Sequence, residues 1–188
     1  MLTMLVCMVF EEYMVIQMPT KREAKCYRKI PNHLYTRREY IKSIPQSKIR
    51  IYNMGNPNNK YDYKIFIVSD QRTMILARAL EATRITVNRY MNENVGRGNF
   101  FFRIRPVPHH IVRERKFLGT AGADRIQKGM RRAYGKPSDR AAVVDINDII
   151  LELWVYSKDL EHAKRAAKLA TYKLGIDTRV EIVPFGKQ

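Results

Sequence analysis

The largest group of chemically capable side chains lies between Arg103 and Arg140. This stretch holds eleven Lys or Arg residues against three acids, interleaved with glycines, two histidines and the aromatic residues Phe117 and Tyr134. Arginine forks match phosphate oxygens and stack on planar groups, glycine lets a backbone approach a phosphate closely, and aromatic rings accept unpaired bases. The residue types therefore indicate binding to a polyanion that carries phosphates and bases.

The positive charge of the chain is clustered rather than spread. The whole chain of 188 residues has a formal net charge of +17. Residues 21–50 hold ten basic and two acidic residues (+8), residues 103–140 hold eleven and three (+8), and residues 141–188 hold seven of each. Clustered Lys and Arg are what phosphate neutralisation requires, because each contact releases condensed counterions. This distribution argues against an average metabolic enzyme.

The motifs for enzyme chemistry are incomplete. The segment GMRRAYGKP at 129–137 has five residues between its glycines and a proline after the lysine, so it fails as a phosphate-binding P-loop. His109 and His110 have no Cys or carboxylate at ligand spacing, and adjacent residues rarely share a tetrahedral metal site. We assign no catalytic residue, no metal and no cofactor. An RNA-modifying enzyme or nuclease is the alternative function, and Asp124 is the acid whose substitution would test it.

The elements that must position these residues follow from hydrophobic patterning. Strands are predicted at residues 48–52, 63–68, 100–105, 110–113, 141–146, 149–156 and 178–183. Helices are predicted at 71–92, after an N-cap at Ser69-Asp70, and at 159–174, before Gly175. This order predicts an α+β fold: a two-layer sandwich in which a mostly antiparallel sheet is covered by two helices.

The chain divides into three parts by composition. Residues 1–18 are an apolar N-terminal extension, residues 19–47 are a basic extended arm, and residues 48–188 are a single α+β domain with a flexible basic loop at about 114–139. We expect the ordering of the arm to depend on a partner, because it is basic and lacks hydrophobic periodicity.

The apolar extension has several interpretations. Its run MLTMLVCMVF is too short to span a bilayer and lacks the positive first region of a signal peptide. We interpret residues 1–17 as the product of a start codon placed too early, with an extra strand or short helix and a membrane-surface element as alternatives. We expect no membrane partner, and a membrane-tethered protein is the third functional hypothesis.

Residues 119–137 (GTAGADRIQKGMRRAYGKP), preceded by Pro108-His109-His110 and Arg113, resemble the signature of the ribosomal protein family L-ten-e, whose bacterial counterpart is L-sixteen. The arm segment YTRREYI at 35–41 is similar to the same family, and the resemblance runs from about Ala24 to near the C-terminus. The Pro-His-His version resembles archaeal members. Ser138-Asp139-Arg140 departs from the glycine-containing step usual there, and Tyr134 stands where phenylalanine is usual.

The resemblance implies an α/β-hammerhead type core on large-subunit ribosomal RNA near the aminoacyl-tRNA site, in the cytoplasmic ribosome. The 114–139 loop would point towards tRNA in that site, and members join late in assembly and do no chemistry. The implied partners are rRNA, tRNA and neighbouring ribosomal proteins, with no homo-oligomer. The RNA-binding candidates, carried over by position and charge, are Arg37, Arg38, Arg103, Arg105, His109, His110, Arg113, Lys116, Arg125, Lys128, Arg131, Arg132 and Lys136.

Overall fold

The structure, a computed structural model, describes residues 24–114 and 135–185. The described strands are β1 (Asn53–Gly55), β2 (Tyr63–Ser69), β3 (Thr73–Leu76), β4 (Phe101–Ile104), β5 (His110–Glu114), β6 (Lys136–Val144), β7 (Ile149–Val155) and β8 (Thr178–Pro184). The two α-helices are α1 (Ala77–Asn94) and α2 (Leu160–Leu174). Short 3₁₀ turns lie at Ala24–Tyr27, Arg38–Tyr40 and Ser157–Asp159.

The strands form two sheets in which every described pair is antiparallel. A large sheet has the order β1-β4-β7-β2-β8, and a small sheet has the order β3-β6-β5. The α+β class, the antiparallel pairing and the two helices are confirmed, whereas the sequence predicted one sheet. The division arises after Ser69, where a short turn lets β3 pair with β6 instead of continuing along the large sheet.

The main core lies where the two helices meet the large sheet. Fully buried side chains of β2, β4 and β7 (Ile65, Ile67, Phe102, Leu151 and Leu153) form one cluster with the helices. Helix α2 contributes the small side chains Ala163, Ala166, Ala167 and Ala170, all at most 1% exposed. Because alanine has little bulk, this stripe lets the helix approach its neighbours closely.

Two predicted boundaries were wrong. Residues 73–76, which lie inside the helix predicted at 71–92, form strand β3, because each of them is buried and pairs with β6. A continuous apolar run is ambiguous between helix and strand until a backbone partner is known. Residues 48–52 are not a strand; Ile49 is buried in the core, and the strand beside β4 begins at Asn53.

The described part of the arm packs on the small sheet. Tyr27 and Ile30 join a second hydrophobic cluster with Met74, Leu76 and Val112. These isolated apolar side chains contact the fold without any periodic pattern. That the ordering of the arm depends on a partner stays a prediction. The ends of the predicted 114–139 loop, Glu114 and residues 136–139, lie in strands β5 and β6.

Candidate nucleic-acid interface

The β5–β6 hairpin determines where the basic loop leaves and re-enters the fold. Glu114 lies opposite Lys136 and Arg113 lies opposite Pro137 in the antiparallel register. The loop candidates Lys116, Arg125, Lys128, Arg131 and Arg132 lie outside the described residues. Because the two flanking strands are paired, both ends of the segment that carries these candidates are held at one end of the small sheet.

The arm docks on β5 through Tyr35. The backbone N–H of Tyr35 donates to Nδ1 of His110 (3.0 Å), and the N–H of Ile111 donates to the carbonyl oxygen of Tyr35 (3.0 Å). The guanidinium of Arg113 lies 4.3 Å from the centre of the Tyr35 ring. A cation over an aromatic face at this distance is held without losing its charge. Tyr35 thus connects the arm to the base of the loop.

The two adjacent histidines have different environments. His110 is 3% exposed and accepts the hydrogen bond from Tyr35. Burial, and secondarily the neighbouring His109, lower the pKa of His110, so its ring is neutral at physiological pH. His109 is exposed, with Nδ1 3.1 Å from the carbonyl oxygen of Val107. His110 therefore positions the arm, and contact of either ring with RNA stays a prediction.

Arg37 and Arg38 are both exposed, at the start of a 3₁₀ turn. The turn is closed by a hydrogen bond from Ile41 N–H to the carbonyl oxygen of Arg38 (3.1 Å), and the Ile41 side chain is 7% exposed. Neither arginine makes an ion pair within the described part of the chain. Buried Ile41 therefore fixes the turn while both guanidinium groups remain available to an external anion.

Arg103 lies in β4 of the large sheet, and Arg105 directly follows the last residue of that strand. Arg103 is exposed and lies opposite Glu152 in the register of β4 and β7. Arg105 forms an ion pair with Glu152, a residue that is only 3% exposed. A buried carboxylate needs such a partner. The charge of Arg105 is therefore partly compensated by Glu152 although its side chain is half exposed, whereas Arg103 makes no ion pair within the described residues.

Four side chains hold the base of the loop in place. Hydrophobic patterning did not reveal this group. The Tyr27 hydroxyl donates to Oε1 of Glu114 (3.2 Å), and the Arg78 guanidinium lies 5.2 Å from the Tyr27 ring centre. Arg78 also lies 4.0 Å from a carboxylate oxygen of Asp139. Burial, followed by the charge of Glu114, raises the pKa of Tyr27. The group joins the arm, α1 and both strands of the hairpin, across separations that no local pattern reveals.

Glu152 was also missed, although the sequence carries a signal for it. It is the only acid in the apolar run IILELWV of β7. A lone carboxylate in such a run needs a cationic partner, and Arg105 supplies it.

The described residues contain neither a candidate metal site nor a helix that could span a membrane. No group of three or more His, Cys, Asp or Glu residues in 24–114 and 135–185 is placed to hold a metal ion. Neither α1 nor α2 combines the length and apolar composition needed to cross a bilayer.

Comparison with known proteins gives one consistent family. The family model described as ribosomal protein L16p/L10e matches residues 30–181. The large ribosomal subunit protein uL16 of Hyperthermus butylicus is 41% identical over 169 residues, covering 90% of this chain and 92% of the relative. The same protein of Staphylothermus marinus is 44% identical over 163 residues, 87% and 94% of the two chains. That of Sulfolobus acidocaldarius is 40% identical over 169 residues, 89% and 96%.

Proposed function

Because the chain belongs to the ribosomal protein L16p/L10e family, we propose that it is a structural constituent of the large ribosomal subunit that binds large-subunit rRNA. It acts in the cytoplasmic ribosome and is not an enzyme. The named relatives that support this placement are archaeal, and each is covered over more than nine-tenths of its length.

The docking of the arm on β5 is the observation that carries the rRNA proposal. Residues 21–50, which include most of the arm, and residues 103–140, which include the loop, are each +8, and the less charged residues 51–102 separate them in the sequence. The contacts of Tyr35 with His110, Ile111 and Arg113 bring these two segments to the same sheet. Combined on one side of a fold, two such segments give the phosphate-neutralising surface that RNA binding requires.

The mechanism is electrostatic and positional. Exposed arginines of the arm, such as Arg37 and Arg38, neutralise rRNA phosphates. Tyr27, Arg78, Glu114 and Asp139 hold the base of the loop against α1 and the arm. The folded core thereby determines the direction in which the loop arginines are presented, and the rRNA holds the core.

The loop at about 114–139 is proposed to contact tRNA in the aminoacyl site. The chain joins the subunit late in assembly, and neighbouring ribosomal proteins are its other contacts. It acts as a single copy rather than as a homo-oligomer. The core is of the α/β-hammerhead type, with residues 19–47 as the arm and residues 48–188 as the domain.

Co-sedimentation tests the ribosomal placement. In a low-salt gradient of a native extract we expect the protein in the large-subunit fraction. The Arg37→Gln/Arg38→Gln variant should leave that fraction at lower salt, whereas the exposed control Lys164→Gln/Lys168→Gln on α2 should behave as wild type. Wild-type protein found only at the top of the gradient or with membranes would contradict the proposal.

The tRNA contact needs a separate assay. Large subunits that contain Arg125→Gln/Arg131→Gln/Arg132→Gln are expected to bind aminoacyl-tRNA more weakly than wild-type subunits. Subunits assembled with Arg37→Gln/Arg38→Gln should bind it normally, because the arm is proposed to face rRNA only. Equal tRNA affinity of all three kinds of subunit would remove the tRNA contact and leave the rRNA role.

A further inference from the structure

A basic cleft lies between the arm and the turn that precedes β3. It encloses about 400 Å³ and is lined by Arg28, Lys29, Ile30, Pro31, Asn32 and Arg72. Three of these six residues are cationic, and none of them is among the RNA-binding candidates carried over from the family. The cleft is therefore a separate feature that needs its own explanation.

The backbone around the cleft is held by the small sheet. The carbonyl oxygen of Arg28 accepts hydrogen bonds from the N–H of Met74 (3.2 Å) and from the Thr73 hydroxyl (3.3 Å). Ile30 packs against the hydrophobic cluster of that sheet. A cleft held in this way loses little freedom when a ligand binds, which favours affinity.

The cations of the cleft are available to an anion. The Nε atom of Arg28 is buried and has no hydrogen-bond partner within the described residues. Lys29 is exposed. Arg72 lies 2.8 Å from Asp145, but both side chains are more than 60% exposed, and such exposed pairs contribute little. A buried donor without an acceptor is unfavourable, so a turn of the Arg28 side chain towards an anion in the cleft would relieve this cost.

We propose that this cleft binds a phosphate group. Three cations against the single carboxylate of Asp145 leave it with a local charge of +2, and arginine forks match phosphate oxygens in pairs. The phosphate belongs to an RNA backbone or is a free inorganic ion. That the phosphate belongs to RNA rests on the proposed function, whereas the binding of a phosphate group to the cleft does not.

The place of the cleft favours the RNA source. It adjoins β3, whereas Arg113 lies on β5, and these are the two outer strands of the small sheet. Arg113 pairs with Pro137 and Met74 pairs with Val143, so the two positions are also offset by six residues along β6 and lie roughly 20 Å apart. The arm thus holds one cationic position at each edge of the same sheet, an arrangement that can bind two phosphates of one RNA.

Nuclear magnetic resonance of the full chain labelled with ¹⁵N-arginine tests the cleft directly. Sodium phosphate is titrated against sodium chloride at equal ionic strength while the Arg28 Nε–H signal is followed. We expect a saturable shift with phosphate alone, a weaker affinity in Arg72→Gln, and no change in the control Lys164→Gln. A signal that responds equally to both salts in the wild type overturns the proposal.

RNA binding distinguishes the two sources of phosphate. The variant Arg28→Gln/Lys29→Gln/Arg72→Gln is compared with Lys164→Gln/Lys168→Gln/Lys173→Gln, which removes the same charge from α2. The site is assigned to RNA if the plot of log affinity against log salt is flatter in the cleft variant, by about 0.7–0.9 per RNA phosphate that is no longer neutralised. Equal slopes with the phosphate shift retained assign it to free phosphate.

Two further controls keep the result interpretable. If the triple cleft variant does not fold, Arg72→Gln alone serves in its place, because Arg72 is exposed in a turn. Arg28→Lys/Arg72→Lys keeps the charge and should lose affinity through the missing fork geometry. Wild-type protein that fails to sediment with large subunits contradicts the proposed function, whereas the phosphate titration judges the cleft independently.

Discussion

Arg103 and Arg105 are two residues apart and of the same type, but they face different electrostatic surroundings. The buried carboxylate of Glu152 pairs with Arg105, and Arg103 is exposed at the same part of the sheet. The charge that a side chain offers to RNA depends on what the protein has already placed beside it. We therefore expect Arg105 to contribute less to RNA binding than Arg103.

The first prediction separates these two arginines. Arg105→Ala leaves Glu152 buried without its partner and should lower the free energy of unfolding by about 1–3 kcal/mol, measured in urea. Arg103→Ala should change stability by less than about 0.5 kcal/mol and weaken RNA binding instead. The double variant Arg105→Ala/Glu152→Leu should recover stability, because removing both partners also removes the buried charge. Equal stability of the two single variants would contradict the assignment.

His110 makes the stability of the fold dependent on pH. Burial lowers its folded pKa below the ordinary value of 6.5, so the unfolded chain binds more protons than the folded chain between these two pKa values. Stability therefore rises with pH in this window. The contribution is fully present above the unfolded pKa and is lost as the pH falls from 6.5 through the lowered folded pKa.

The second prediction follows from this increase of stability with pH. We expect the difference in unfolding free energy between wild type and His110→Gln to shrink when urea titrations move from about pH 8 to pH 5. His109→Gln is the control and should retain the dependence with a smaller slope, because His109 is only the secondary cause of the shift. If the plots of unfolding free energy against pH were parallel for wild type and His110→Gln, the fold would not favour the neutral form of the His110 ring.

Among the elements, the outer strand β1 depends on a close backbone contact. Gly55, its last residue, has φ +84°, and a Cβ there would overlap the carbonyl oxygen of Phe100. Gly98 has nearly the same conformation, φ +88°, with nothing within 4 Å of its Cβ position. The two glycines therefore share the conformational requirement, and only one of them has the close contact.

The third prediction uses these two glycines as a matched pair. Gly98→Ala should cost about 1–2 kcal/mol of stability, the strain of a left-handed conformation for a residue with Cβ. Gly55→Ala should cost more, since the backbone of Phe100 must also move. Chemical denaturation of both variants measures the difference. Equal destabilisation by the two substitutions would mean that β1 can shift away from β4 without cost.

Across the whole molecule, the basic charge is presented by a fold whose C-terminal part is neutral. Residues 141–188, which include β7, α2 and β8, carry seven acids and seven bases. Removing the same number of positive charges from the loop or from α2 should therefore affect RNA binding very differently.

The fourth prediction compares these two regions. Arg125→Gln/Arg131→Gln/Arg132→Gln should weaken rRNA binding and lower the slope of log affinity against log salt by about 2–3, because each phosphate that is no longer neutralised reduces it by about 0.7–0.9. Lys164→Gln/Lys168→Gln/Lys173→Gln should leave the slope unchanged. An unchanged slope in the loop variant would mean that these arginines do not contact phosphate.

Patterning predicted the elements that have one face in the core. The strand predicted at 63–68 and the helix predicted at 159–174 could be read locally, because burial against the core gives a segment its own hydrophobic pattern. The start of α1 was wrong, since a short apolar run fits either a helix or a strand and the choice depends on a distant partner. For β3 that partner is β6, which pairs Thr73 with Val144 and Leu76 with Ala141. The strand at 48–52 was wrong because its polar and apolar alternation did not reveal that no described strand pairs with it.

Charge, residue type and the 119–137 signature are local properties of the chain, so the chemistry of the partner and the family could be predicted without a structure. The sequence alone could not predict which cations are available to that partner. The fold pairs Arg105 with Glu152, buries His110 under the arm, and places Arg28 beside Arg72 in one cleft. Charges act through distance and burial in three dimensions, and neither quantity is a property of a segment taken alone.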